Sequence, residues 1–300
     1  MVIKSFAHLK TMITAKEEVN TLAAVCPNDQ ETILALKEAV DLGICRVLAF
    51  GQKEIIEPLW LNNGGKEEDF QIIDAEDGDE AAKLAVAAVR EGKAQSILKG
   101  NLETAQLLSK VVDREHGIRD SKLLSHLAFF EIPGYHKLIG LTDSGMVLYP
   151  DYEQKKIILE NAVKFYKDFG YQTIKISVLS AVEKPNPKIL DTIDASKLQE
   201  ENRSGFLPEA IIEGPLSYDI TMSKEVAEKK RFTSQVSGDC DLMLIDNMTS
   251  GNILGKSLIM SAKAKMAGVV VGGKAPIALN SRGSSHEEKL NAIILASYFS

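Results

Sequence analysis

The chain has 300 residues, 45% of them apolar and 26% charged, with a formal net charge of −7 at pH 7. That balance, without a basic stripe, argues against a nucleic-acid partner, and no apolar run approaches the ~20 residues that span a bilayer. Cys26, Cys45 and Cys240 are odd in number, far apart and outside any C-x-x-C spacing, which speaks against a disulfide framework or a zinc site.

Reduced thiols and an N-terminus, MVIKSFAHLK, that lacks the long apolar stretch of a secretory signal predict a cytoplasmic protein with no metal. The length exceeds what one hydrophobic core usually serves, so two domains with a cleft between them are expected.

Short aliphatic runs alternate with amphipathic segments, the pattern of an α/β fold whose parallel sheet is covered by helices. In chain order the predicted elements begin with a helix over Asn28–Leu42 and strands over Arg46–Phe50 and Gln71–Ala75. A helix over Asp79–Glu91, a strand over Gln95–Leu98 and a helix over Leu102–Val112 come next.

From Leu123 to Val147 the alternation breaks: LLSHLAFFEIP and GYHKLIGLTDSGMVL read as consecutive strands joined by a Pro-Gly turn, the second including Leu138–Leu141. A helix over Tyr152–Phe169, a strand over Thr173–Val178, a helix over Lys188–Glu200 and strands over Ala210–Glu213 and Leu242–Ile245 come after it. The Gly214-Pro215 pair predicts that the chain turns sharply away from the sheet. The chain closes with a helix over Gly251–Ala264, a strand over Gly268–Val271 with a second short apolar strand behind it, and a helix over Ser285–Ser300. The break sets the expected domains: 1–131 plus 275–300, a discontinuous first domain, and 132–274, with the return crossing near Lys274-Ala275-Pro276.

Several positions along this path suit anion chemistry. Lys99-Gly100-Asn101 follows a strand and precedes a helix, so Gly100 permits close backbone approach while Asn101 or Thr104 caps the helix or binds a ligand. Arg119, in the polar loop HGIRDSK, carries a guanidinium suited to bidentate phosphate contact. Ser125-His126 opens an apolar strand, where His126 is either an acid–base group or a packing residue.

Thr142-Asp143 ends a strand, where ligand sites of α/β folds gather, although an Asx turn accounts for Asp143 equally well. Asn252 and Lys256 sit in NMTSGNILGK, whose Gly251 and Gly255 weaken a helix start and therefore serve close approach. Two short strands run directly into Ser281-Arg282 and a helix start, which brings unpaired N–H groups, a hydroxyl and a guanidinium to one place. Ser285-x-x-Glu288 fits a capping box, a second role open to Glu288.

Taken together, KGNLETAQLL, GIR with LSHLAFFEIPGYHKL, LTDSGMVLYPDYEQK, EGPLSYD, SGDCDLMLIDNMTSGNILGKSL and AKMAGVVVGGKAPIALNSR resemble the phosphate acetyl/butyryl transferase family, nearest its phosphate butyryltransferase branch. The resemblance runs in order from about Gln95 to Leu295. It implies two α/β domains of the isocitrate/isopropylmalate-dehydrogenase type, a cleft site and a homodimer or higher homo-oligomer. It also implies acyl transfer between coenzyme A and inorganic phosphate, with coenzyme A as substrate and no permanently bound cofactor.

The implied mechanism is direct attack of the thiolate within a ternary complex. Glu288 occupies the position of the family's catalytic aspartate counted from Ser281-Arg282, with Glu287 beside it. Ser281 would stabilise developing charge on the acyl oxygen or sulfur, and Arg282 and Arg119 would hold phosphate. Family members often carry an acid two positions after the Arg, where this chain has Ser284. A metal- and NAD-dependent dehydrogenase on the same architecture is the competing enzyme class, without a clustered-aspartate or G-x-G-x-x-G signal to support it. A non-catalytic acyl-CoA-binding protein is the third.

Overall fold

In the computed structural model, which describes residues 2–281 and 283–298, the chain forms two units. One, the terminal unit, combines Ser5–Lys122 with 266–298; the other, the central unit, combines 2–4 with Leu123–Lys265. Arg282, and the predicted end of the last helix at Ser300, lie outside the described residues.

The terminal unit opens with helix α1 (Phe6–Thr14), capped by Ser5, whose Oγ accepts the His8 N–H at 3.0 Å. Strand β1 (Asn20–Val25), helix α2 (Gln30–Asp41), strand β2 (Cys45–Gly51), helix α3 (Lys53–Asn62) and strand β3 (Phe70–Asp74) follow. Helix α4 (Gly78–Arg90), strand β4 (Ser96–Lys99) and helix α5 (Thr104–Val111) complete this stretch. β1 pairs in parallel with both β2 and β4, and β2 with β3. Leu22 through Val25 are fully buried, as expected of a parallel strand covered on both faces.

The central unit holds β5 (Ser125–Glu131), β6 (Ile139–Thr142), α6 (Tyr152–Asp168), β7 (Ile174–Leu179) and α7 (Leu190–Arg203). It continues with β8 (Ala210–Leu216), α8 (Tyr218–Met222), α9 (Lys224–Lys229), β9 (Leu242–Leu244) and α10 (Met248–Met260). Its strands stand in the order β5-β6-β9-β7-β8; β5 and β6 are antiparallel and the other pairs parallel. The core is aromatic where α6 meets β5: Phe129 lies 5.3 Å from Tyr166, and Phe165 5.4 Å from Phe169. Two buried lysines are paired, Lys137 with Asp241 at 2.5 Å and Lys155 with Asp246 at 2.7 Å, as an interior charge requires.

The chain then returns to the terminal unit through β10 (Lys265–Val271), β11 (Ile277–Ala278) and α11 (His286–Ser297). β11 is antiparallel to β10 and parallel to β4, giving the order β3-β2-β1-β4-β11-β10. Each sheet is thus mixed, where the sequence predicted a parallel one. Among the described residues no helix is long and apolar enough to cross a membrane.

The differences from expectation have local causes. Residues 123–131 fall in the central unit because β5 hydrogen-bonds to β6, and 266–274 fall in the terminal unit because β10 pairs with β11. β8 continues through Gly214-Pro215 to Leu216 instead of turning away, since it is an outer strand of its sheet, where a proline costs no ladder bond. α10 begins at Met248 because Asn247 caps it, its side chain accepting the Ser250 N–H at 3.0 Å.

Candidate active site

Three neighbouring parallel strands, β1, β4 and β11, end at the same edge of the terminal sheet, so the loops that follow them converge. The β4 loop is bound to the β1 loop by its backbone. Gly100 N–H donates to the Val25 carbonyl and Asn101 N–H to the Cys26 carbonyl, both at 2.8 Å. This approach needs a glycine: a Cβ on residue 100 would lie 2.3 Å from the Cys26 carbonyl oxygen.

After β11 the chain passes Asn280 and the exposed Ser281 before Ser285 caps α11. Ser281 lines a hollow of about 260 Å³ together with Lys99, Gly100, Asn101, Asn280, Lys289 and the first residues of α2. Four of the residues singled out in the sequence, Lys99, Gly100, Asn101 and Ser281, are therefore brought together. Arg282 lies outside the described residues.

Two buried ammonium groups face the same hollow. Lys99 Nζ donates to the Gly100 and Leu102 carbonyls at 3.1 and 2.9 Å. Lys289 Nζ donates to Asp29 Oδ1 at 2.7 Å and Thr32 Oγ1 at 2.8 Å. Burial pushes the Asp29 pKa up, but hydrogen bonds from Lys289 and Thr32, with the charge of Lys289, hold it below the ordinary value. The start of α11 is fastened a second time by His286 N–H, which donates to Glu31 Oε2 at 3.0 Å.

Asp29, Lys289 and Asn280 were not picked out from the sequence. The available signal was the N-cap pattern Asp29-x-x-Thr32, whose carboxylate also caps α2.

Glu288 completes the predicted capping box with Ser285: Ser285 N–H donates to its Oε2 at 3.0 Å. Thr104 and Asn101 do not cap α5, contrary to expectation. Glu103 holds that position, its N–H donating to Gln106 Oε1 at 3.3 Å, because the loop leaves β4 in a tight turn that delays the helix. Arg119 is exposed, in a loop laced to the bend before β11: Asp120 and Ser121 N–H both donate to the Gly272 carbonyl, at 3.0 and 2.8 Å.

The remaining candidates lie in the central unit. Ser125, His126, Thr142 and Asp143 are all buried there, and the side chains of Thr142 and Asp143 bond the His126 backbone. Asp143 accepts N–H bonds from His126 at 2.9 Å and from Gly145 and Met146 at 2.8 Å, so it does form the Asx turn. Thr142 Oγ1 donates to the His126 carbonyl at 2.9 Å, and Ser125 Oγ accepts from Asn161 at 3.2 Å. The His126 ring lies 3.1 Å from Ser144 Oγ through Nδ1; burial lowers its pKa, against the charge of Asp143.

Gly251 packs on this turn as the sequence suggested, for a Cβ there would lie 3.0 Å from the Ser144 Cα. Asn252 and Lys256 project from the exposed side of α10.

The cysteines are poor nucleophiles. All three are buried, and burial raises each thiol pKa, to about 12 for Cys45 and Cys240. Among the described residues no group of three or more His, Cys, Asp or Glu is placed to hold a metal ion. The hollow offers a hydroxyl on an exposed turn and two fixed ammonium groups beside the carboxylates of Asp29 and Glu31; Glu288 is not among its lining residues.

Comparison with known proteins gives the chain its relatives. The family described as Phosphate acetyl/butaryl transferase matches residues 49–297. A probable phosphate butyryltransferase of Bacillus subtilis is 39% identical over 276 residues, 92% of each chain. The crystal structure of a branched-chain phosphotransacylase from Enterococcus faecalis superposes with a TM-score of 0.85 at 30% identity, over 93% of this chain and 98% of the other. A 4-hydroxythreonine-4-phosphate dehydrogenase structure from Salmonella typhimurium shares the fold alone, with a TM-score of 0.58 at 12% identity, over 94% of this chain and all of the other. With its sequence matched over most of its length and its fold reproduced end to end, the chain belongs to the phosphate acetyl/butyryl transferase family.

Proposed function

We propose that this protein is an acyltransferase that moves a short-chain acyl group between coenzyme A and inorganic phosphate, butyryl-CoA and phosphate exchanging with butyryl phosphate and CoA. The observation that carries the reading is the hollow under Ser281, where a hydroxyl on an exposed turn stands with the buried ammonium groups of Lys99 and Lys289. Ammonium groups held in fixed positions suit phosphate and the oxyanion of a tetrahedral intermediate, with the Lys289 charge shared with Asp29. Acetyl-CoA is the second reading, because the family's description names both chain lengths.

In the direction from acyl phosphate, a carboxylate takes the thiol proton of CoA and the thiolate attacks the acyl carbon. A carbon–sulfur bond forms, the carbon–oxygen bond to phosphate breaks, and phosphate leaves with its electron pair. Glu288 is the base in this scheme, Ser281 donates to the developing oxyanion, and Arg282 and Arg119 hold the phosphate. Both substrates are bound at once and no acyl-enzyme forms, in keeping with the buried, high-pKa cysteines. No electrons change hands, so the scheme needs no redox cofactor; coenzyme A is a substrate. A cytoplasmic homodimer or larger homo-oligomer is the state in which we place it.

The test is thiol release from butyryl-CoA with phosphate, without NAD and with EDTA. Phosphate-dependent release supports the transferase; no turnover with any acyl-CoA from acetyl to valeryl sinks it. Arg282→Ala is expected to raise the KM for phosphate or abolish turnover while the protein stays folded.

A further inference from the structure

Asn280 stands immediately before Ser281, is 7% exposed and lines the same hollow. Its Nδ2 donates to the Glu288 carbonyl oxygen at 3.1 Å. That bond fixes the orientation of the amide, since turning it over would set Oδ1 against another acceptor. Oδ1 is left buried with no hydrogen-bond partner. Buried acceptors are rarely left so, and one on a residue that lines a site calls for a partner.

The two buried ammonium groups at the hollow already have partners. Lys99 Nζ donates to two carbonyls, and Lys289 Nζ to Asp29 and Thr32. Asn280 is the group that asks for a donor.

We infer that Asn280 is a substrate-binding residue whose Oδ1 accepts a hydrogen bond from the amide N–H of coenzyme A nearest its sulfur. This rests on the acyl-transfer reading. Phosphate and acyl phosphate meet a site chiefly as acceptors, whereas the CoA arm carries an N–H two methylenes from the sulfur. Consecutive Cα atoms are about 3.8 Å apart. That N–H is four bonds from the thioester carbonyl carbon, a little more than the three bonds between neighbouring Cα atoms, so a carbonyl at Ser281 brings it to the neighbourhood of Asn280. Ser281, on the lining of the hollow, is exposed. The same side chain holds the Glu288 backbone, so binding of the arm and placement of the carboxylate share one amide.

The experiment compares butyryl-CoA with an analogue in which an ester oxygen replaces that N–H. Wild-type protein is expected to favour the amide by about tenfold in kcat/KM, the worth of one such bond. In Asn280→Ala and Asn280→Ser the preference falls to about one, while the KM for phosphate is unchanged; a purely structural loss would lower both thioesters alike and keep the ratio. If the wild type treats the two thioesters equally, or if the variants keep the tenfold preference, the assignment is overturned. Equal treatment of the two thioesters by the wild type overturns the assignment even should the variants not fold. If neither thioester is turned over, the transferase reading fails first and the inference with it.

Discussion

Ser285 and Glu288 cap each other across the first turn of α11: Ser285 N–H donates to Glu288 Oε2 at 3.0 Å, and Glu288 N–H donates to Ser285 Oγ at 3.3 Å. The carboxylate proposed as the base is therefore already a structural acceptor, and the two roles share one side chain. Gln keeps the acceptor oxygen and loses the proton site. Glu288→Gln is expected to lower kcat by at least about 100-fold and to remove the acid limb of the pH–rate profile in the direction from acyl phosphate, with the Tm nearly unchanged. Glu288→Ala should lose the cap as well, about 1 kcal/mol of stability. Should Glu287→Gln carry the kinetic loss instead, the base is Glu287.

The Lys289–Asp29 pair joins the first turns of α11 and α2. Lys289 is buried and the Asp29 side chain is 32% exposed, so losing the lysine leaves a carboxylate with partial access to water. Lys289→Met is expected to cost about 1–2 kcal/mol in urea unfolding, below the ~3–5 kcal/mol of a fully buried pair. Adding Asp29→Asn should recover part of that loss; a double variant that merely sums the two single losses would show that the pair does not interact.

The way these residues meet explains how much was legible in the sequence. Alternation of aliphatic and amphipathic runs was enough for the α/β class, and Ser285-x-x-Glu288 for the capping box, because both are local patterns. β1 escaped notice because NTLAAV is rich in alanine and short of β-branched residues; its strand character comes from burial between β2 and β4. α1 was missed although Ser5 caps it and Phe6, Leu9 and Ile13 make its buried face.

Asp29 and Lys289 are 260 positions apart, and no spacing rule links them. Their meeting depends on β11 lying beside β4, which is a fact of topology. Asn280 was hidden for a similar reason: an orphaned oxygen is a property of the folded environment and leaves no mark on the sequence.

His126 gives the central unit a defined pH dependence. Burial lowers its pKa from the ordinary 6.5, opposed by the charge of Asp143. Above that value the ring is neutral in both the folded and unfolded chain, and its contribution to stability is complete. Below it the unfolded chain binds a proton that the folded chain refuses, so stability falls by up to about 1.4 kcal/mol per pH unit until the lowered folded pKa is reached. His126→Asn, which keeps a polar atom near Ser144, should flatten this slope below about pH 6.5. Urea curves at a series of pH values from neutral downwards would measure it, and an unchanged slope would place the dependence elsewhere.

Gly100 ties the β4 loop to the β1 loop and so sets where Lys99 and Asn101 stand. An added Cβ would meet the carbonyl oxygens of Cys26 and Val25 at 2.3 and 2.5 Å, and both belong to backbone that accepts bonds from this same loop. Neither oxygen moves without breaking the contact that defines the site. Gly100→Ala is expected to cost about 3 kcal/mol, at the upper end for overpacking, and to depress turnover more than the stability loss alone accounts for. Gly283→Ala is the control, since a Cβ there meets nothing within 4 Å, and its effect on stability should stay within about 0.5 kcal/mol. Equal, small effects at both positions would mean that the loop yields more readily than these distances allow, and that the placement of Lys99 and Asn101 does not depend on Gly100.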